Sequence, residues 1–261
     1  MRKFVVLFSL LFFAYRADAQ SWELGGGIGS SGYMGDLNQA NVFKYTDLAF
    51  GGFFKRNFNG YLSAKLSFWH GQLRADDARS SNEDFRLRNI NFISPLNELA
   101  LTGEWNILSY QADAGKNRWT PYLFAGVGFI SFDPRTRIED KTIRLQPLET
   151  EGESYKRVSM SIPFGTGIKY NIKGHWNLGG EIGYRTAMTD YLDDVSGNYP
   201  DPQKLVNVND RVYNVSDPSN SGSGGRGLSG TQRGDLRKRD TYMFVGISVS
   251  YTFVTQKCYD F

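Results

Sequence analysis

The stretch HWNLGGEIGYRT, His175 to Thr186, sorts its residues with a period of two. Trp176, Leu178, Ile182 and Tyr184 fall on one side, and Asn177, Gly179, Glu181, Gly183 and Arg185 on the other. Such alternation is the mark of a β-strand with one apolar and one polar face. The polar face is odd for a soluble sandwich, because glycine costs conformational entropy in a strand and a water-facing side has no need of it. Glycine beside Glu and Arg fits a space that is narrow and shielded from lipid, provided that other strands sort their residues the same way.

They do. Period-two segments run over Trp22–Ser30, Asp47–Asn57, Gly60–Gln72, Leu96–Leu108, Thr120–Phe132, Val158–Asn171, His175–Thr189 and Asp240–Val254. Leu62, Ala64, Leu66 and Phe68 oppose Ser63, Lys65 and Ser67, while Leu99, Leu101, Trp105 and Ile107 oppose Glu98, Thr102, Glu104 and Asn106. Ile162, Phe164, Ile168 and Tyr170 oppose Ser161, Gly165, Gly167 and Lys169, and the run from Met243 to Phe253 opposes Gly246, Ser248, Ser250 and Thr252. Tyr122 to Phe132 is apolar on both sides, so its facing is undetermined. Strands of about ten residues suit a tilted membrane strand better than a soluble one of about five or six. The expected fold is all-β: an eight-stranded antiparallel transmembrane outer-membrane β-barrel. Its apolar faces meet lipid, and Glu23, Lys65, Glu104, Lys169, Glu181 and Arg185 pair inside a lumen wide enough only for side chains.

The connections agree. Those at Asn57–Gly60 and Asn171–Gly174 are tight and that at Ser109–Trp119 is intermediate, whereas those near 31–46, 73–95, 133–157 and 190–239 are long. Strict alternation predicts short periplasmic turns, long extracellular loops and both termini in the periplasm. Aromatic girdles are expected from Trp22, Tyr61, Tyr170, Trp176, Tyr251 and Phe253 on the turn side, and from Trp69, Tyr184 and Tyr242 on the loop side. The Gly/Ser-rich run Ser221–Gly227 marks 190–239 as a long flexible loop.

The ends and the composition bound the function. Arg2 and Lys3, an apolar run from Phe4 to Ala14, and Ala17-Asp18-Ala19 read as a signal peptide over residues 1–19. That leaves a barrel over 20–254 and a periplasmic tail over 255–261. Without residues 1–19 the 30 basic and 27 acidic residues become 27 and 26, so there is no basic stripe for nucleic acid. No later apolar segment reaches the roughly 18 residues of a membrane helix. Aromatic content of 15% and 29 glycines against 8 prolines favour close-packed strands. Cys258 is the sole cysteine, so it is either reduced or bonded to another chain.

Catalytic residue types are scarce. His70 and His175 fall at opposite ends of the barrel, too far apart for a shared zinc site or a triad. Thr189–Gly197, TDYLDDVSG, offers oxygen ligands of the kind calcium prefers but lacks the spacing of a known calcium loop, so a solvated loop is the simpler reading. Gly25, Gly26, Gly27 and Gly29 precede no helix pattern, which argues against phosphate binding and for a crowded lumen. No cofactor is expected.

SGYMGDLN (31–38), ELALTGEWNIL (98–108), TPYLFAGVGFISFDP (120–134), LQPLETEG (145–152), IPFGTGIKY (162–170) and TDYLDDVSGNY (189–199) together resemble, in order, the PorG-like outer-membrane barrels of type IX secretion and gliding. The resemblance implies a non-enzymatic barrel that associates with the periplasmic ring made by PorK and PorN. The motif positions that it singles out are Tyr33, Gly35, Asp36, Asn38, Asp190, Tyr191, Asp193 and Asp194. On this reading the turns, the N-terminus and the tail face the ring, and Cys258 is placed for a disulfide to a partner. Two other readings compete: a lipid-modifying barrel enzyme using His70 with Ser67 or Ser80, and an adhesin or porin-like barrel of the OmpA type.

Overall fold

The computed structural model describes residues 21–39, 43, 46–111, 117–219, 227–235 and 237–254. Eight long strands form the wall: β1 (Ser21–Met34), β2 (Thr46–Asn57), β3 (Leu62–Asp76), β4 (Asn91–Asn106), β5 (Trp119–Phe132), β8 (Val158–Lys173), β9 (Trp176–Ala187) and β12 (Thr241–Val254). Each pairs antiparallel with its neighbours in that order. The wall closes where β1 pairs with β12 along its whole length, from Ser21 opposite Val254 to Met34 opposite Thr241. A closed antiparallel sheet leaves no unpaired edge, so the backbone polar groups of the wall are satisfied within it. The expected eight-stranded antiparallel barrel is therefore the observed fold.

Facing follows the pleat. On β4, Leu99, Leu101 and Trp105 are exposed, while Glu98, Ala100, Thr102, Glu104 and Asn106 are buried. On β9, Asn177 and Arg185 are buried and Trp176, Leu178 and Ile182 are exposed. The structure also settles β5: Tyr122, Phe124, Ile130 and Phe132 point inward, and Leu123, Val127 and Phe129 outward. Gly183 lies beneath Phe124 and Gly167 beneath Tyr122, where an added Cβ would come within 2.7 Å and 2.5 Å of the rings. Glycine on the polar faces thus leaves room for aromatic rings from neighbouring strands, which explains the pattern of the opening stretch.

Outward residues form an uncharged belt with marked borders. His70, Asn97 and Ser131 share a row across β3, β4 and β5, linked at 2.8 Å and 3.3 Å. At the opposite border Trp22 stacks on Phe54 at 4.6 Å, Arg56 lies over Trp22, and Trp176, Tyr251 and Phe253 cluster. From Asn97 to Trp105 the strand covers roughly 27 Å, or about 21 Å along a barrel axis inclined by about 40°, close to the ~25 Å apolar band of membrane barrels. A continuous apolar belt of this kind is far larger than the few hundred Å² that soluble monomers expose.

Several expectations need correction. Trp69 and Tyr242 belong to the inside and not to a girdle: Trp69 stacks on Phe244 at 5.9 Å and Tyr242 is fully buried. Gly26 takes the outward parity of β1, unlike Gly25, Gly27 and Gly29. The strands β1, β3 and β4 extend beyond the belt because their loop-side ends are covered by packed loops. Those loops contain a short helix α1 (Glu83–Arg88) and two hairpins, β6 (Arg135–Ile138) with β7 (Lys141–Arg144) and β10 (Leu205–Val208) with β11 (Arg211–Asn214). The described part of 190–239 is accordingly a packed element, with Leu192, Val195, Val208 and Ser216 buried, and not the open flexible loop expected. Residues 1–20, most of the Ser221–Gly227 run and the tail with Cys258 lie outside the described residues.

Candidate functional site

Two layers fill the barrel. The lower one gathers all six charges expected inside and two more, running from Glu23 and Lys55 near the short turns up to Arg185 and Glu98 near the loop-side border. Glu104 receives Lys169 at 2.6 Å, Lys65 at 2.9 Å and Lys55 at 3.7 Å; Lys55 also meets Glu23 at 2.9 Å, and Lys65 meets Glu181 at 2.5 Å. Arg185 continues the chain to Glu181 at 3.8 Å and Glu98 at 3.4 Å. Four carboxylates (Glu23, Glu98, Glu104, Glu181) face four cations (Lys55, Lys65, Lys169, Arg185), so the network is neutral. Hydroxyls complete it: Ser250 donates to Glu23 at 2.6 Å, Tyr122 to Glu181 at 2.8 Å, and Tyr242 to Glu98. Buried charges are tolerable only when paired and hydrogen-bonded in this way. Lys55 and Glu98 escaped the sequence reading of this network, although both lie on the polar parity of their strands. A cavity of about 40 Å³ is left among these side chains, room for a few waters and no more.

The upper layer is an apolar plug capped by loops. Leu37, Leu192 and Val195 descend from the loops onto Tyr33, Leu73, Phe92, Leu96 and Phe244 of the wall. Four loops are tied together above it by two arginines. Arg88 grips Asp77 with Nε and Nη2 at 2.7 Å and 3.0 Å, and donates to the carbonyls of Arg233 at 2.8 Å and Asp36 at 3.1 Å. Arg233 pairs with Glu151 at 2.9 Å and donates to the carbonyls of Asp194 and Ser216 at 2.7 Å and 3.0 Å.

The eight motif residues, from two stretches more than 150 positions apart, meet in this cap. Tyr33 donates to Asp193, and Asn38 donates to the Tyr33 carbonyl at 2.7 Å. Gly35 and Asn38 exchange backbone hydrogen bonds at 3.1 Å, and a side chain at Gly35 would collide with Tyr33 and Asp240. Tyr191 stacks on Tyr155 at 4.4 Å, and Tyr155 donates to Asp194 at 2.5 Å. Asp36 and Asp190 stand together with Asp240, which the sequence reading did not single out. Burial pushes Asp36 up to about 7, reinforced by the charges of Asp235 and Asp190 against the opposing Asp235 N–H and Arg88. Burial likewise raises Asp190 to about 6, and raises Asp240 with help from Asp36 and Asp190.

The histidines stay apart. His70 faces outward with Asn97 and Phe50, whereas Ser67 takes the opposite parity and is buried inside. His175 lies in the turn before β9, against Tyr251 at 5.4 Å. Neither the pair His70 and Ser67 nor the pair of histidines is brought together.

Residues 1–220, which include both cap motifs, match the model of a family described as a domain of unknown function, DUF6089. The chain belongs to the DUF6089 family. No curated protein matches it. Among solved structures, this DUF6089 chain is similar to Neisserial surface protein A at 10% identity and a TM-score of 0.47, over 90% of this chain and 100% of that one. OprG from Pseudomonas aeruginosa is similar at 12% identity and a TM-score of 0.46, over 91% and 97%. Ail of Yersinia pestis is similar at 10% and 0.43, over 90% and 100%.

Proposed function

We propose that this DUF6089 chain is a non-enzymatic barrel of the outer membrane, with its capped loop end outside and its turns and termini in the periplasm. In this reading it is a structural component of a type IX protein secretion machine, and its turn end docks on a periplasmic ring of the PorK and PorN kind. The observation that carries it is the filled lumen: a neutral eight-membered charge network and an apolar plug leave no conduit, so the molecule serves as an anchor and not as a channel. The uncharged belt supports placement in lipid, and the motifs shared with PorG-like barrels support the secretion role. A disulfide from Cys258 to a ring subunit would make the anchor covalent.

Crosslinking and pull-down of the tagged chain from isolated outer membranes tests the reading. Recovery of ring lipoproteins is the expected result. A chain that fractionates with the outer membrane but brings down no ring protein would overturn the secretion role while leaving the barrel intact. Replacing Cys258 by Ser should remove a band on non-reducing gels, and an unchanged pattern would overturn the disulfide. A surface-adhesion role has one observation in its favour: Leu205 and Val212 stand exposed on the β10–β11 hairpin of the cap.

A further inference from the structure

Asp36, Asp190 and Asp240 come from three separate parts of the chain: the segment after β1, the start of the long loop after β9, and the residue before β12. Each offers a carboxylate oxygen such that all three lie within 4.8 Å of one another. All three residues are more than nine-tenths buried. Two carboxylates that close are ordinarily bridged by a base or share a proton, and three of them, out of water, call for a compensating positive charge. Arg88, whose charge acts on Asp36, is already engaged by both oxygens of Asp77 and reaches Asp36 only through its backbone carbonyl.

The hydrogen bonding divides each carboxylate in the same way. Asp240 Oδ2 accepts the Leu192 N–H at 3.0 Å, Asp190 Oδ2 accepts the Ser196 hydroxyl at 2.7 Å, and Asp36 Oδ1 accepts the Asp235 N–H. The other oxygens, Asp36 Oδ2, Asp190 Oδ1 and Asp240 Oδ1, are buried and have no hydrogen-bond partner among the described residues. A buried carboxylate oxygen without a donor is costly and rare. Three of them in one cluster, each on a carboxylate that a neighbour orients through its second oxygen, is the arrangement that metal-binding carboxylates adopt. Asp193 provides the contrast: Tyr33 and the Val195 N–H satisfy both of its oxygens.

We infer that Asp36, Asp190 and Asp240 form a binding site for one calcium ion, which staples the loop cap onto the mouth of the barrel. The donor set is hard oxygen only, which excludes the softer metals that prefer nitrogen and sulfur. Calcium accepts irregular arrangements of carboxylates with water completing the shell, whereas magnesium demands a near-ideal octahedron. The absence of a side chain at Gly35 lets the Asp240 carboxylate approach the segment that carries Asp36. The site stands on the geometry of the cap and does not depend on the partner at the turn end.

Purified full-length protein in detergent, stripped with EGTA, is titrated with calcium chloride by calorimetry, and the cap is followed by hydrogen exchange over 35–38 and 189–197. One calcium per chain is expected, with slowed exchange in both segments. Asp190→Asn and Asp240→Asn each weaken binding tenfold or more, while Asp140→Asn, on the remote β6–β7 hairpin, leaves it unchanged. No calcium uptake by the wild-type chain at millimolar concentration would overturn the site, and this arm does not depend on whether the variants fold. Uptake equal to wild type in both Asp190→Asn and Asp240→Asn would also overturn it. Magnesium chloride that saturates the site, with calcium unable to displace it, would overturn the assignment to calcium.

Discussion

Replacing Glu104 by Gln keeps the shape of the side chain and removes one charge from the centre of the lumen. Its three lysines are not affected equally. Lys65 keeps Glu181 at 2.5 Å and Lys55 keeps Glu23 at 2.9 Å, whereas Lys169 keeps no ion-pair contact and is left with the amide oxygen of Asn106 at 2.9 Å, the face of Tyr122 and the more distant charge of Glu23. Breaking a buried pair by removing one partner costs about 3–5 kcal/mol, because the other charge remains without water or counter-charge. Glu104→Gln should therefore lose about that much stability. Adding Lys169→Met returns the lumen to three carboxylates and three cations, and should recover a large part of the loss, with a coupling energy of ~2–3 kcal/mol. Urea unfolding of the protein in lipid vesicles, followed by the fluorescence of its five tryptophans, measures all four corners of the cycle. A single variant within ~1 kcal/mol of wild type, the range of a solvated ion pair, would refute the reasoning. So would a double variant no more stable than Glu104→Gln.

Two further outcomes follow from the packing of the inside. Gly167→Val drives a branched side chain into the Tyr122 ring and should cost 1–3 kcal/mol or prevent insertion, while Gly103→Val, on the outward side where the nearest atom to a Cβ is 3.9 Å away, should fold at least as well as wild type; unheated gel mobility in detergent distinguishes them, and equal loss in both would contradict the assigned facing. Burial raises Asp194 to about 6 against the opposing charge of Arg233 and the hydroxyls of Thr150 and Tyr155. A carboxyl that holds its proton more tightly folded than unfolded stabilises the cap below its unfolded value, near pH 4, and that contribution declines as pH rises to about 6. Hydrogen exchange at Leu192 and Val195, corrected for intrinsic rates, should show better protection at pH 5 than at pH 7, and Asp194→Asn should reduce this difference.

The wall of the barrel was legible because its two faces differ in chemistry. Val245, Ile247, Val249, Tyr251 and Phe253 announce one side of β12, and Ser248, Ser250 and Thr252 the other, while Met243, expected on the lipid side, is buried. β5 was not legible in the same way, since Tyr122 and Phe124 are as apolar as Leu123 and Val127. What distinguishes them is the glycines of other strands beneath the inward rings, a complementarity that no single segment displays. Lys55 lies next to Arg56, so adjacent cations concealed which one enters the lumen. The cap was missed for a different reason: its core forms between distant loops, and Leu192 or Val195 within TDYLDDVSG has no periodicity to betray it. A signal did exist for β10–β11, where Asn209-Asp210 sits between LVNV and RVYN and both turn residues have positive φ. The three buried aspartates came together only in three dimensions, because Asp240 is fifty positions from Asp190 in the chain.

The barrel turns oily faces to acyl chains, and glycine, charge and aromatic rings to its interior. The most direct test of this facing is a lipid-accessibility scan of single cysteine probes along β4, from position 98 to 105, in bilayers, with Cys258 first replaced by Ser. Spin labels at 99, 101, 103 and 105 should collide readily with oxygen dissolved in the lipid, and labels at 98, 100, 102 and 104 should not. Uniform accessibility along the strand, or easy access of an aqueous nickel reagent to positions 99 and 101, would contradict it.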